Sequence, residues 1–221
     1  MDWTALGLSL RLGVLTVALL LPVAFLLARS LAYGRFRGRG VVEAVVALPL
    51  ILPPTVVGFY LLSAFGRGSP IGSAFEGLVG HPLVFSFEGL VLASVLVNLP
   101  FAVQPMQNAL AAIPRSVREA ARCCGLSPLA AIRRIELPLA LPGIATAAVL
   151  TFAHTLGEFG VVLMVGGSIP GETRTISIAI YDRVQAFDEP AAATMALVLL
   201  VLAVAALGIS NTLARRAARQ D

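Results

Sequence analysis

Long apolar stretches separated by short polar segments dominate the pattern along this chain of 221 residues. A helix needs ~20 mostly apolar residues to cross ~30 Å of hydrocarbon, and five stretches are long enough. The stretches lie at roughly residues 6–28, 41–65, 88–111, 139–164 and 190–212. The first has no basic start and is too long for the apolar part of a signal peptide, so it is predicted to be a retained helix. The pattern predicts an all-α, polytopic membrane protein whose residues 1–221 form a single transmembrane domain.

The composition agrees with this class. The chain is 58% hydrophobic and 13% charged, whereas soluble domains carry about 25% charged residues. Pro49, Pro53 and Pro54 fall within the second stretch. Neighbouring groups in a bundle can satisfy the carbonyls that proline leaves free, so this span is predicted to be a kinked helix.

The arginines predict the orientation. Segments 29–40 and 112–138 and the C-terminal tail hold twelve arginines, whereas segments 66–87 and 165–189 hold three. Loops rich in arginine stay in the cytoplasm. The N-terminus is therefore predicted to be outside and the C-terminus inside, with segment 112–138 in the cytoplasm.

Several functions need residues that the sequence lacks. All sixteen basic residues are arginine, and a nucleotide-binding P-loop needs a lysine that reaches the phosphates. If ATP drives this protein, ATP must bind to another chain. Adjacent Cys123 and Cys124 are too few for a zinc site, and His81 lies in a predicted outside loop, so no metal site is expected.

Segment 112–138 is predicted to fold as two short helices joined at a glycine. Pro114 can open the first helix, and Gly125 can end it with a positive φ. Ser127 and Pro128 can begin a second helix, which runs to about Ile135 before the next span opens at Leu137-Pro138. Val117, Ala120, Ala121 and Cys124 would form a stripe of small residues on the first helix. The segment could be a surface connector or a docking surface for a partner.

The spacing of this segment resembles the EAA loop of ABC-importer permeases. The matching positions are Glu119, Ala120, Ala121, Gly125, Ile135, Leu137 and Pro138. In that family the loop is the coupling helix, which docks on the ATPase subunit and transmits nucleotide-driven closure to the membrane helices. The resemblance implies the same role here.

Three further patches are similar to the molybdate branch of these permeases. They read LPLILPPTVVGFYLL at 48–62, FAHTLGEFG at 152–160 and IPGETRTISIAIY at 169–181. Sulfate permeases are similar at GEFG but less so at IPGETRTI, and tungstate differs too little from molybdate to be excluded. His154 stands where similar proteins tend to carry arginine, which leaves a fixed positive charge there in doubt.

The fourth span contains a candidate polar site. His154 and Glu158 are predicted to share one helix face, with Thr151 and Thr155 nearby as hydrogen-bond donors. The group could line the pathway or the dimer axis, or it could be a helix-packing pair beside Gly157. A proton-coupled secondary transporter with a His154–Glu158 relay stays open as an alternative. A membrane enzyme is disfavoured because no nucleophile–base set is apparent.

The resemblance implies an assembly in a bacterial or archaeal inner membrane. Its expected parts are a second copy of this chain, ABC ATPase subunits and a periplasmic oxyanion-binding protein, with no nucleic acid. Five helices are too few to enclose a pathway alone, and two-fold symmetry is the commonest closure. This chain is expected to bind no cofactor, because ATP would bind to the ATPase. Segment 170–189 is predicted to be an amphipathic helix at the outer interface, which could receive the binding protein.

Overall fold

The computed structural model describes residues 1–217, with side chains to residue 208, and throughout this range the regular elements are helices. The predicted all-α membrane fold is confirmed. The helices are α1 Trp3–Tyr33, α2 Arg39–Ile51, α3 Pro54–Phe65, α4 Pro70–Val79, α5 Phe87–Val97, α6 Leu99–Ala111, α7 Arg115–Cys123, α8 Pro128–Ala131, α9 Leu137–Gly157, α10 Gly160–Gly166, α11 Ile176–Gln185 and α12 Glu189–Ala217. A π-helical turn, Ile132–Glu136, joins α8 to α9.

Three helices are long and apolar enough to cross a membrane, and two bent helix pairs raise the number to five if each pair is one span. The long helices are α1, the helix from Pro128 to Gly157, and α12. The pairs are α2 with α3 and α5 with α6. The number of five spans therefore stays a prediction. The orientation, with the N-terminus outside and the C-terminus inside, also stays a prediction. Arg219, one of the predicted cytoplasmic residues, lies outside the described residues.

The prediction of one kinked helix over residues 41–65 is wrong. The chain forms two helices, α2 and α3, whose axes differ by 114°. Pro53 and Pro54 lie at the break, where neither can donate a backbone hydrogen bond and the residue before each proline is driven out of the helical region. Gly160 and Gly58 allow α10 to pack closely on α3, since a Cβ at Gly160 would lie 2.8 Å from Cβ of Pro54.

The predicted span at residues 139–164 is also interrupted. Helix α9 ends at Gly157, and Glu158 takes an extended conformation with ψ of 129°. The chain then begins the short helix α10 at Gly160. The break places Glu158 between two helix ends, which changes the role that can be assigned to its carboxylate.

Helix α1 packs against both α6 and α9 in the centre of the largest apolar cluster. Leu20, Ala24 and Ala28 are fully buried there. The same cluster includes Met106 of α6 and Ala147 of α9. Small residues on α1 let three helices approach one another closely, as is common in membrane bundles.

Helix α11 packs at the opposite end of α1 from α7 and α8. The N–H of Ile176 donates to Oγ of Ser9 at 2.8 Å, and Arg174 lies 3.8 Å from Asp2. The helix predicted within segment 170–189 is shorter than that segment, since α11 spans Ile176–Gln185, with Ile176 buried and Val184 53% exposed. Since α1 has 31 residues, a rise of 1.5 Å per residue separates its ends by about 46 Å.

Candidate functional site

The first limb of the elbow formed by residues 115–136 is helix α7, which ends in a glycine cap. Gly125 has φ of +74°. Its N–H donates to the carbonyl of Arg122 at 3.0 Å, and the N–H of Leu126 donates to the carbonyl of Ala121 at 3.1 Å. This pair of bonds satisfies carbonyls that a helix end otherwise leaves free, and glycine adopts the left-handed conformation without a Cβ clash. Helix α7 therefore ends in a glycine cap at Gly125, as the sequence predicted.

The second limb begins at the predicted residues but does not end where expected. Oγ of Ser127 accepts from the N–H of Ala130 at 3.2 Å, and Pro128 occupies the first turn. The expected end near Ile135 is wrong, because the helix continues from Pro128 to Gly157 through the π-helical turn. The elbow is thus continuous with the long helix that contains α9.

The predicted coupling residues fall into two groups. Glu119, Ala120 and Gly125 are exposed at the bend, and Arg115 donates a hydrogen bond to Glu119. The remaining residues lie along the inward side or the second limb, where Ala121 is buried, Ile135 and Leu137 are half-buried and Pro138 is exposed. The stripe of small residues is therefore divided, because Ala121 faces the chain's own core whereas Ala120 faces out. The exposed part is available for contact with another protein.

Two contacts that the sequence did not predict connect the elbow to the end of α1. Nε and Nη2 of Arg29 donate to the carboxylate of Glu136 at 2.6 and 3.1 Å. Cζ of Arg118 lies 4.0 Å from the ring centroid of Tyr33, which is a cation–π contact. The one sequence signal was a carboxylate at position 136 between apolar residues, which implies a partner.

A second polar group lies within the helical bundle around Asn98, at the junction of α5 and α6. Asn98 is completely buried. Its Nδ2 donates to the carbonyl of Ser94 at 2.8 Å and to Oγ of Thr155 at 3.0 Å. Its Oδ1 lies 3.1 Å from Nδ1 of His154. Oγ of Thr155 donates in turn to the carbonyl of Thr151 at 2.8 Å.

His154 is the only one of the four predicted polar-site residues with substantial exposure. Its side chain is 30% exposed, and its ring stacks on Phe101 with centroids 4.1 Å apart. Thr151 and Thr155 are buried against neighbouring helices. A role in lining the pathway therefore fits His154 better than it fits either threonine.

Glu158 is the residue at which α9 ends, and its carboxylate lies beside His154 as their spacing predicted, although the helix does not continue past it. One carboxylate oxygen accepts from the N–H of Val161 at 2.9 Å, at the start of α10. The other lies 3.7 Å from Nε2 of His154. The backbone carbonyl of Glu158 accepts a hydrogen bond from Oγ of Ser177 at 2.7 Å. Glu158 therefore contacts α9, α10 and α11, and its carboxylate accepts a hydrogen bond at the start of α10, as acidic groups at helix N-termini commonly do.

No cluster suited to a metal ion occurs among the described residues. Cys123 and Cys124 are both exposed and unbridged. The polar groups around Asn98 are an amide, hydroxyls and an imidazole, all possible hydrogen-bond donors, with the carboxylate of Glu158 beside them.

Residues 21–219 match the family described as "Binding-protein-dependent transport system inner membrane component". The chain is 50% identical over 187 residues to "Molybdenum transport system permease protein ModB" of Azotobacter vinelandii, covering 85% of this chain and 83% of that protein. It is 39% identical over 215 residues to the protein of the same name in Escherichia coli K12, covering 97% of this chain and 94% of that protein.

A solved structure shares the fold. The bacterial alginate ABC transporter, in complex with an alginate pentasaccharide-bound periplasmic protein, contains a chain that superposes with a TM-score of 0.75. The match covers 96% of this chain and 78% of that chain at 22% identity. At this identity the likeness concerns the fold alone.

Proposed function

Because the chain belongs to the family of binding-protein-dependent inner membrane transport components, we propose that it is the permease subunit of an ATP-driven importer for molybdate. The observation that carries the proposal is 39% identity along nearly the whole length of a molybdenum transport permease. The chain is a transport subunit of the inner membrane rather than an enzyme, since its relatives are permease components.

The proposed assembly contains two copies of this chain, two ABC ATPase subunits and a periplasmic oxyanion-binding protein. The absence of lysine from the sequence supports a separate ATPase, because this chain cannot form a P-loop. ATP would bind to that partner, and we propose that this chain binds no cofactor. Transport would proceed by alternating access, with ATP biasing an equilibrium between two states of the dimer.

The elbow is the proposed contact with the ATPase. Its bend exposes Glu119, Ala120 and Gly125, while Ala121 and the half-buried Val117 hold α7 against the apolar core. A rigid glycine cap gives the exposed side a defined shape. Ile135, Leu137 and Pro138 would connect this surface to α9 and so to the membrane helices.

His154 is the proposed pathway residue, and Thr151, Thr155 and Glu158 are proposed to fix its surroundings. The buried amide of Asn98 orients the imidazole, and the carboxylate of Glu158 lies on its other side. A dianion in the bilayer centre is costly, since even one central charge costs ~3 kcal/mol on the insertion scale. A sparse lining of donors suits brief contact, so selection of the oxyanion would fall to the binding protein.

The purified assembly tests this proposal. Its ATP hydrolysis is measured with the binding protein empty, loaded with molybdate, loaded with tungstate and loaded with sulfate. Stimulation by the molybdate-loaded protein above the empty one is expected. Stimulation by sulfate alone would instead assign the chain to sulfate transport. A proton-coupled secondary transporter predicts no response of any ATPase and transport driven by a pH gradient.

A further inference from the structure

Two side chains one turn apart on α1 contact both limbs of the elbow. Arg29 binds the carboxylate of Glu136 in the π-helical turn with two hydrogen bonds. Tyr33 lies under the guanidinium of Arg118 in α7. Residues four apart on a helix lie on one face, so a single patch of α1 holds the elbow on both sides of its bend.

The same patch is also attached to the core. The hydroxyl of Tyr33 donates to the carbonyl of Leu110 near the end of α6 at 2.9 Å. Leu31 and Ala28, on the adjoining turns of α1, are buried in the cluster shared with α6 and α9. A displacement of this patch must therefore displace α1 within the bundle.

Apart from Val117 and Ile132, which pack against the apolar cluster that includes α1, the elbow contacts this patch of α1 through polar side chains. A cavity of about 480 Å³ lies beside the contacts, lined by residues of α1 and of both limbs. Among its lining residues are Arg29, Tyr33, Arg118, Arg122 and Glu136. Because this space is open rather than close-packed, these side chains are the contacts that cross it from α1 to the two limbs.

The connection along the backbone contains an irregular turn. Residues Ile132–Glu136 form a π-helical turn between the elbow and α9. Such turns are rare and occur often at functional sites. Glu136 lies in this turn, and its bond to Arg29 fixes the turn against α1.

We infer that Arg29 and Glu136 form the linkage by which displacement of the elbow moves α1. Arg29 is a positioning residue: it contacts neither the transported oxyanion nor the ATPase, and it fixes the elbow to α1. The inference rests on the proposed function. Without the linkage, the ATPase would still dock and hydrolyse ATP, but the elbow would turn at the π-helical turn and α1 would not follow.

The ion pair is better explained as a linkage than as a source of stability. The side chain of Glu136 is 6% exposed and that of Arg29 is 34% exposed. Removing such charges from water offsets much of their attraction, so a largely buried pair adds little net stability. It does fix a geometry, because the planar guanidinium donates two hydrogen bonds and so holds the carboxylate in one orientation.

The test uses the complete assembly in lipid vesicles, with ATP hydrolysis and oxyanion uptake measured on the same preparation. Arg29→Gln and Glu136→Gln should keep the ATPase bound and hydrolysing, whereas molybdate moved per ATP should fall about fivefold or more, the lower end of typical coupling between sites. Arg29→Lys keeps the charge but cannot form the planar pair, so it should show part of the loss. The exchange Arg29→Glu with Glu136→Arg should restore part of the ratio.

Arg67→Gln is the matched control. It removes another arginine–glutamate pair, in which Arg67 of the segment joining α3 to α4 lies 3.0 Å from Glu76 of α4. Its molybdate-to-ATP ratio should match the wild type. Unchanged ratios in Arg29→Gln, Arg29→Lys and Glu136→Gln would overturn the inference. Loss of ATPase co-purification in all three variants would also overturn it, because the pair would then be a docking or folding element. Failure of the proposed function is distinct, since the wild type itself would then move no molybdate.

Discussion

Oδ1 of Asn98 lies 3.1 Å from Nδ1 of His154, and this contact favours a ring with hydrogen on Nδ1. An amide oxygen can only accept, so Nδ1 of His154 carries the proton. Nε2 faces the carboxylate of Glu158 at 3.7 Å. One buried amide thus connects α9 to the junction of α5 and α6.

Asn98→Ala should destabilise the permease by about 1–3 kcal/mol, because Nδ1 of His154 loses its acceptor and the hydroxyl of Thr155 loses its donor. The measurement is thermal unfolding of the purified protein in detergent. Asn108→Ala is the control, since Asn108 is exposed on α6, and it should unfold close to the wild-type temperature. Equal unfolding temperatures for both variants would show that the buried network contributes no stability.

Glu158→Gln separates a helix cap from a proton relay. In the wild type, the carboxylate of Glu158 accepts a hydrogen bond from the N–H of Val161 at 2.9 Å. The side-chain carbonyl of glutamine can accept the same bond. Uptake by the variant should therefore stay close to that of the wild type. Glu158→Leu removes the acceptor and should cost about 1 kcal/mol of stability. Complete loss of uptake in Glu158→Gln, with normal folding and assembly, would favour the relay.

Gly125→Val should weaken docking of the ATPase. Gly125 has φ of +74° and nothing within 4 Å of an added Cβ. The strain therefore comes from the backbone conformation alone, at about 1–2 kcal/mol. Docking is measured by the amount of ATPase retained on the tagged permease. Gly40→Val is the control, since an added Cβ at Gly40 also has nothing within 4 Å and Gly40 lies within α2, where φ is negative. Normal retention of the ATPase by Gly125→Val would contradict a docking role for the bend.

The elbow shows how much of the site could be predicted from sequence. Pro114, Gly125 and Ser127 act locally, so their positions predicted where α7 begins and ends and where the second limb starts. The bond between Arg29 and Glu136 spans 107 residues, and no local pattern predicts which distant partner a buried carboxylate finds. The same limit applies to Glu158, because hydropathy continued past Gly157 while the backbone left the helix.

The bends were partly predictable. Prolines 49, 53 and 54 predicted a kink within one helix, whereas the break of 114° depends on how α3 packs on α10. Close contact at Gly58 and Gly160 permits that packing, and it is a tertiary effect. The all-α membrane class followed from composition and hydropathy alone.

The orientation is tested with reporter fusions. A reporter after Arg219 should be active only in the cytoplasm, and one placed in segment 66–87 only outside, because the arginines are strongly asymmetric between alternate segments. The structure adds that α11 and the elbow lie at opposite ends of α1. A fusion within segment 165–189 should therefore match the one in 66–87. Reversed labelling would place the elbow where no ATPase could reach it.

Uptake by reconstituted vesicles tests the central claim most directly. The assembly of this permease, its ATPase and its binding protein is supplied with labelled molybdate, tungstate or sulfate, with ATP on the ATPase side or without it. The account predicts ATP-dependent accumulation of molybdate, with sulfate taken up less well. Uptake of none of these oxyanions, or accumulation of molybdate without ATP, would contradict it.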